Sequence, residues 1–207
     1  MASKEISRLA PPVVESHGLA TAILGFVSDI PDSRELASQA PAEAARRKAN
    51  KAAVKAALAS GAIALPPGPI AWLTIFPELV AVWKIQSQLV SDIATIYGKK
   101  AGLTQEHMMY CLFRHTSAQL FRDLVVRVGE RVLIQHASLK VMQKIARKIG
   151  LKVTQRAIGK GLSRWIPVVG AIGVGAYAYY DTAQVAASAM DLFERDIELA
   201  QENQEKL

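Results

Sequence analysis

Apolar positions along this chain recur in three- and four-residue steps almost throughout, the period of a helix with one buried face. No stretch sustains the two-residue alternation of a strand. Pro11 and Pro12 are placed to open a first helix reaching about Ile30, because proline is tolerated in a first helical turn. Asp29-Ile-Pro-Asp-Ser then predicts a turn. Ala42 to Ala62 is alanine-rich and carries Arg46, Arg47, Lys48, Lys51 and Lys55, a strong helix composition. Leu79, Val82, Gln86, Leu89, Ile93 and Ile96, with Trp83, Val90 and Tyr97 beside them, predict a long packed helix that stops between Gly98 and Gly102. Thr104 offers an N-cap and Glu106 an acidic first turn for the next helix. Its inner face would be Leu112, Leu120, Phe121, Leu124, Val125 and Val128. Ser138 to Ser163 reads as a basic amphipathic helix, and Ala186, Met190, Phe193, Ile197 and Ala200 mark one face of a last one. The pattern predicts an all-α, single-domain helical bundle. Its parts would be an N-terminal helix and turn (1–40), a helical domain (41–200) and a frayed acidic tail (201–207).

Two uncharged runs interrupt this amphipathic pattern. Residues 56–77 hold no charged side chain and four prolines. A run of that length could reach across a bilayer, which takes roughly 20 apolar residues as a helix. Pro66, Pro67, Gly68 and Pro69 break it, so it reads as helix, turn, helix. Trp165 to Tyr180 is again uncharged and again opens on proline and glycine. Two apolar helical hairpins, at 61–77 and 165–180, are therefore expected. Trp72 and Phe76 in the first, and Trp165, Tyr177, Tyr179 and Tyr180 in the second, suit either an interfacial belt or a bundle core. Ala171, Gly173 and Gly175 would let helices approach closely.

Charge sharpens the picture. The 207 residues carry a net charge of +7, and only 21% are charged against 51% hydrophobic, so much of the chain must be buried in protein or lipid. Residues 1–98 are near balance at +1, residues 99–164 carry +11, and residues 165–207 carry −5. Within the basic middle, Lys140, Lys144, Lys148, Lys152, Arg156, Lys160 and Arg164 fall at every fourth position. One residue along runs an apolar row, Val141, Ile145, Ile149, Val153 and Ala157. Side by side on a helix, the two stripes suit an anionic lipid surface, and equally a solvated face. Nucleic acid is not expected, since no aromatic interleaves the basic row before Trp165 and no recognition motif is present. The single Cys111 excludes an internal disulfide, and the polar opening residues lack the apolar core of a secretory leader, so the expected compartment is the cytoplasm.

Little chemistry is visible. His107, Cys111 and His115 stand at i, i+4 and i+8, and neighbours among them could share a metal ion. All three could not, because about 12 Å of helix separates the histidines. Glu78, Asp92 and Asp181 sit in apolar surroundings, where a carboxylate needs partners or a raised pKa. No phosphate-binding loop, nucleophile elbow or paired-histidine zinc helix occurs, and Gly170-Ala-Ile-Gly-Val-Gly has the wrong spacing for a dinucleotide fingerprint. The expectation is a non-enzymatic protein without a cofactor.

Ser60-Gly-Ala-Ile-Ala-Leu-Pro-Pro-Gly-Pro-Ile-Ala-Trp-Leu-Thr, followed by Glu78 to Ala94 and Ile96-Tyr97-Gly98, resembles the EcsC family of bacterial proteins. Ser163-Arg-Trp-Ile-Pro-Val-Val-Gly-Ala-Ile-Gly-Val-Gly-Ala-Tyr resembles the second half of that family's pattern, which recurs in helical domains appended to some bacterial GTPases. The resemblance runs from about Lys51 to Phe193. It implies a membrane-associated helical protein with no catalytic residues to transfer. Together these readings predict peripheral association with the inner face of a bacterial membrane through the hairpins and the basic stripe. The alternatives are a soluble bundle holding a fatty acid or other apolar ligand between Trp72, Phe76, Trp83 and Tyr97, and a module that binds a partner protein in a transport, secretion or toxin system.

Overall fold

A computed structural model describes residues 16–63, 75–116, 118–122, 124–128, 131–161 and 167–205. Its helices are α1 (Ser16–Ser28), α2 (Pro41–Ile63), α3 (Ile75–Ile96), α4 (Gln105–Phe113), α5 (Leu139–Gly161) and α6 (Pro167–Glu205). The fold is an all-α, single-domain bundle, as the helical periodicity predicts.

Three long helices form its centre. Lys48 meets Asp92, and Ala56 packs with Val82, so α2 and α3 run antiparallel. Ala57 meets Gly175, and Gln86 meets Asp181 and Thr182, so α6 runs against α2 and alongside α3. The contact face of α2 is Ala45, Ala49, Ala53 and Ala56, all buried. Side chains of one carbon let the neighbouring backbone come close, and the alanine richness of this helix thus serves packing as well as propensity. On α3, Val82, Leu89, Ile93 and Ile96 are buried as their spacing predicts, and Gly98 closes the helix with a φ of 70°, the left-handed geometry that favours glycine.

A second layer pairs α1 with α5, and α4 lies between the layers. Ala20, Ile23 and Val27 of α1 join the same core as Met142, Ile145 and Ile149 of α5. The N-terminal helix is thus part of the single core. The link after it, residues 29–40, is strapped across α3. Ser91 Oγ donates to the Pro31 carbonyl (2.6 Å), Gln88 Nε2 to the Asp32 carbonyl (2.8 Å), and Ser38 N to the Ile96 carbonyl (3.0 Å).

Two elements depart from the sequence reading. The helix expected from Thr104 through Val128 ends at Phe113, and two 3-10 turns and an antiparallel hairpin, β1 (Val125–Val128) with β2 (Arg131–Ile134), follow it. The β-branched run Val125-Val126, mirrored by Val132 and Ile134, favours an extended chain over a helix. The register Val128↔Arg131 fits the two-residue separation opening on Gly129, a hairpin signal that helical period masks. The expected hairpin at 165–180 is also corrected. Pro167 is the first residue of α6, and Gly170, Gly173 and Gly175 lie inside one continuous helix of 39 residues. Proline at a first helical position lacks only an N–H that would be orphaned anyway. The turn expected at Pro66, Pro67, Gly68 and Pro69 lies outside the described residues, between the end of α2 and the start of α3.

Candidate functional site

The first feature of interest is one end of the bundle. Because α2 runs against α3 and α6, its C-terminus and their N-termini lie together, and both uncharged segments connect there. Leu58 (70% exposed) and Ile172 (68%) stand at that end. Each is five residues from its helix terminus, about 8 Å along the axis. Val54, Tyr179 and Tyr180 continue the exposed apolar surface inward. Tyr177 is at the boundary of exposure and reaches Asp181. Trp72 and Trp165 lie outside the described residues, as does the side chain of Phe76.

Trp83 and Tyr97 are elsewhere. Trp83 is buried between Phe26 and Phe113, with ring centroids 6.0 and 5.5 Å away. Tyr97 is buried just past the end of α3, fourteen residues on and about 21 Å away in axial rise. The two are core residues, and they do not line a shared cavity among the described residues.

The basic row is partly visible. Lys140, Lys144 and Lys148 are exposed on α5, while Ile145 and Ile149 beside them are buried and Val141 is half-buried. Lys152 departs from the row: it is half-buried and its Nζ donates to the Thr116 carbonyl at 3.4 Å. The side chains of Arg156, Lys160 and Arg164 lie outside the described residues.

The candidate metal ligands have separate tasks. His107 Nδ1 accepts from the Thr104 amide and lies 2.8 Å from Thr104 Oγ1, which caps α4, so histidine completes the capping box. Cys111 is fully buried, and burial pushes its thiol well above the usual range. His115 lies beyond the end of α4, so helical spacing does not relate it to Cys111. No group of three metal-ligating side chains occurs among the described residues.

What His115 does is bind Asp181, Nε2 to Oδ1 at 2.8 Å. Gln86 Nε2 donates to Asp181 Oδ2 at 2.8 Å and to Thr182 Oγ1 at 3.2 Å. Burial acts to raise the Asp181 carboxyl, but His115, Gln86 and Tyr177 outweigh it and hold it below the usual range. Gln86 Oε1 and His115 Nδ1, both buried, have no hydrogen-bond partner among the described residues. The other interior carboxylates are equally engaged. Asp92 accepts from Ser33 (2.7 Å), Gln88 (2.9 Å) and Lys48 (3.1 Å). Burial would raise Glu106, yet its bonds with Thr104 and the backbone amides of Glu106 and Ala137 leave it lowered. Sequence flags Asp92 and Asp181 but not these pairings, of which Ser33 lies 59 residues from Asp92 and His115 lies 66 from Asp181.

No protein-family model, curated protein or solved structure matches this chain. Among the described residues no helix is long and apolar enough to cross a membrane. The arrangement comprises polar pairs locked inside the bundle, an apolar end, and lysines on its flanks.

Proposed function

We infer that this is a non-enzymatic helical protein, similar to the EcsC family, that associates peripherally with the cytoplasmic face of a bacterial membrane. The observation that carries the reading is the convergence of α2, α3 and α6 at one end, where both uncharged segments connect and where Leu58 and Ile172 are exposed. Apolar side chains held there in water gain free energy by entering the acyl boundary. The exposed Lys140, Lys144 and Lys148 supply further attraction, at most about 1 kcal/mol each near such a surface.

Co-sedimentation of the full chain with phosphatidylserine-containing vesicles tests this. Replacing Leu58 and Ile172 together by aspartate is expected to lower partitioning at least about tenfold. Lys140→Glu, Lys144→Glu and Lys148→Glu together are expected to weaken binding at low salt more than at high salt. Binding unaffected by either set would rule the reading out.

A further inference from the structure

A cleft of about 590 Å³ runs between α2 and α3, with Ala52, Ile85 and Leu89 among its apolar lining. Its charges divide along the helices. At one end Lys48 is held by Glu35 and Asp92, so the cation and both carboxylates satisfy one another. Toward the other end Lys51 and Lys55 of α2 and Lys84 of α3 line the same space. All three are exposed, and none has a carboxylate partner among the described residues. The register that joins Lys48 to Asp92 and Ala56 to Val82 sets Lys55 opposite Lys84. Like charges facing across a cleft repel, and a multiply charged anion between them converts that repulsion into attraction. Each ammonium brings three donors and no acceptor, which matches the oxygen-rich surface of a phosphate.

We propose that this cleft binds a phosphate-bearing anion between Lys51, Lys55 and Lys84, with the rest of the ligand against Ala52 and Ile85. Two sources share that chemistry, a free organic phosphate and the headgroup of a phospholipid. The site does not require the apolar end to meet a bilayer, so it stands apart from the membrane reading.

Calorimetric titration of the full chain with inorganic tripolyphosphate tests the site in the absence of lipid. One saturable site is expected, weakened about tenfold by Lys55→Gln and again by Lys84→Gln, each of which removes a charge-assisted contact. Both lysines are exposed, and an unchanged circular dichroism melt would show that the fold is retained. Lys140→Gln with Lys144→Gln, on α5, is expected to leave the titration unchanged. Lack of saturation, or an equal loss in the α5 variant, overturns the proposal and leaves vesicle binding to be judged separately. Vesicles carrying phosphatidylinositol bisphosphate, against phosphatidylserine vesicles of matched charge, then separate the sources. Loss of the bisphosphate preference in the Lys55→Gln, Lys84→Gln variant supports the site with a lipid headgroup as ligand. Loss of tripolyphosphate binding alone supports it with a free phosphate.

Discussion

Gly173 and Gly175 stand two residues apart on α6, and the structure gives them opposite expectations. A Cβ built on Gly173 meets nothing within 4 Å. Alanine there would only restrict the unfolded chain and favour the helix, so Gly173→Ala should stabilise by about 0.5–1 kcal/mol. A Cβ on Gly175 would sit 3.0 Å from the Ala57 carbonyl oxygen and 3.7 Å from its carbon. Those atoms are backbone, so relief requires α2 to move away from α6 along a seam already built of alanines. Overpacking of this kind costs about 1–3 kcal/mol, and the helix gain offsets roughly 1 of it. Gly175→Ala should therefore destabilise by about 1 kcal/mol, leaving a gap of about 2 kcal/mol between the variants. Urea unfolding with linear extrapolation would read the difference directly, provided both variants share one m-value. For a chain of this size the gap corresponds to about 4–8 °C in Tm. If Gly175→Ala proved as stable as Gly173→Ala, the close approach of α2 and α6 at Ala57 would be wrong.

Asp92→Ala removes the acceptor shared by Ser33, Gln88 and Lys48 and should cost about 2–4 kcal/mol by urea unfolding, with loss below 1 kcal/mol counting against this hub. Asp181 is held below its ordinary value of 3.8, so it contributes stability that is complete above that value and is lost as pH falls through the lower folded one. Asp181→Asn should accordingly be less stable than the parent at pH 7, with the difference shrinking as urea unfolding is repeated from pH 4 downward. A difference that stayed constant across that range would refute the role given to the carboxylate.

The parts of the fold legible in the sequence are those set by local period and termini. The buried face of α3 follows from Val82, Leu89, Ile93 and Ile96, its end from Gly98, and the start of α4 from Thr104. Glu106 shows where local reading stops. Its position suits a first-turn charge, but the residue is buried and accepts from the Ala137 amide, 31 positions away. The hairpin was hidden because Leu112, Leu120, Phe121 and Leu124 continue a helical stripe, although the valines that follow prefer an extended chain. Spacing alone groups His115 with Cys111, a relation that fails because α4 ends between them. Trp83 and Tyr97 could have lined a ligand cavity or filled a core, and only tertiary packing distinguishes the two.

The buried polar pairs also bear on how the three long helices find their alignment. An alanine face such as Ala45, Ala49, Ala53 and Ala56 permits close approach, but small side chains leave few knobs to fix one register over another. Slipping α3 along α6 by one turn would separate Gln86 from Asp181 and Thr182, leaving buried groups unpaired. Slipping α2 along α3 would do the same to Lys48 and Asp92. Asp92 and Asp181 thus specify the arrangement that the alanines make possible. Toward the apolar end, Ala56, Val82 and Ala178 pack without an ion pair among the described residues. Alignment is therefore set by the polar pairs further along the helices and not by contacts at the apolar end.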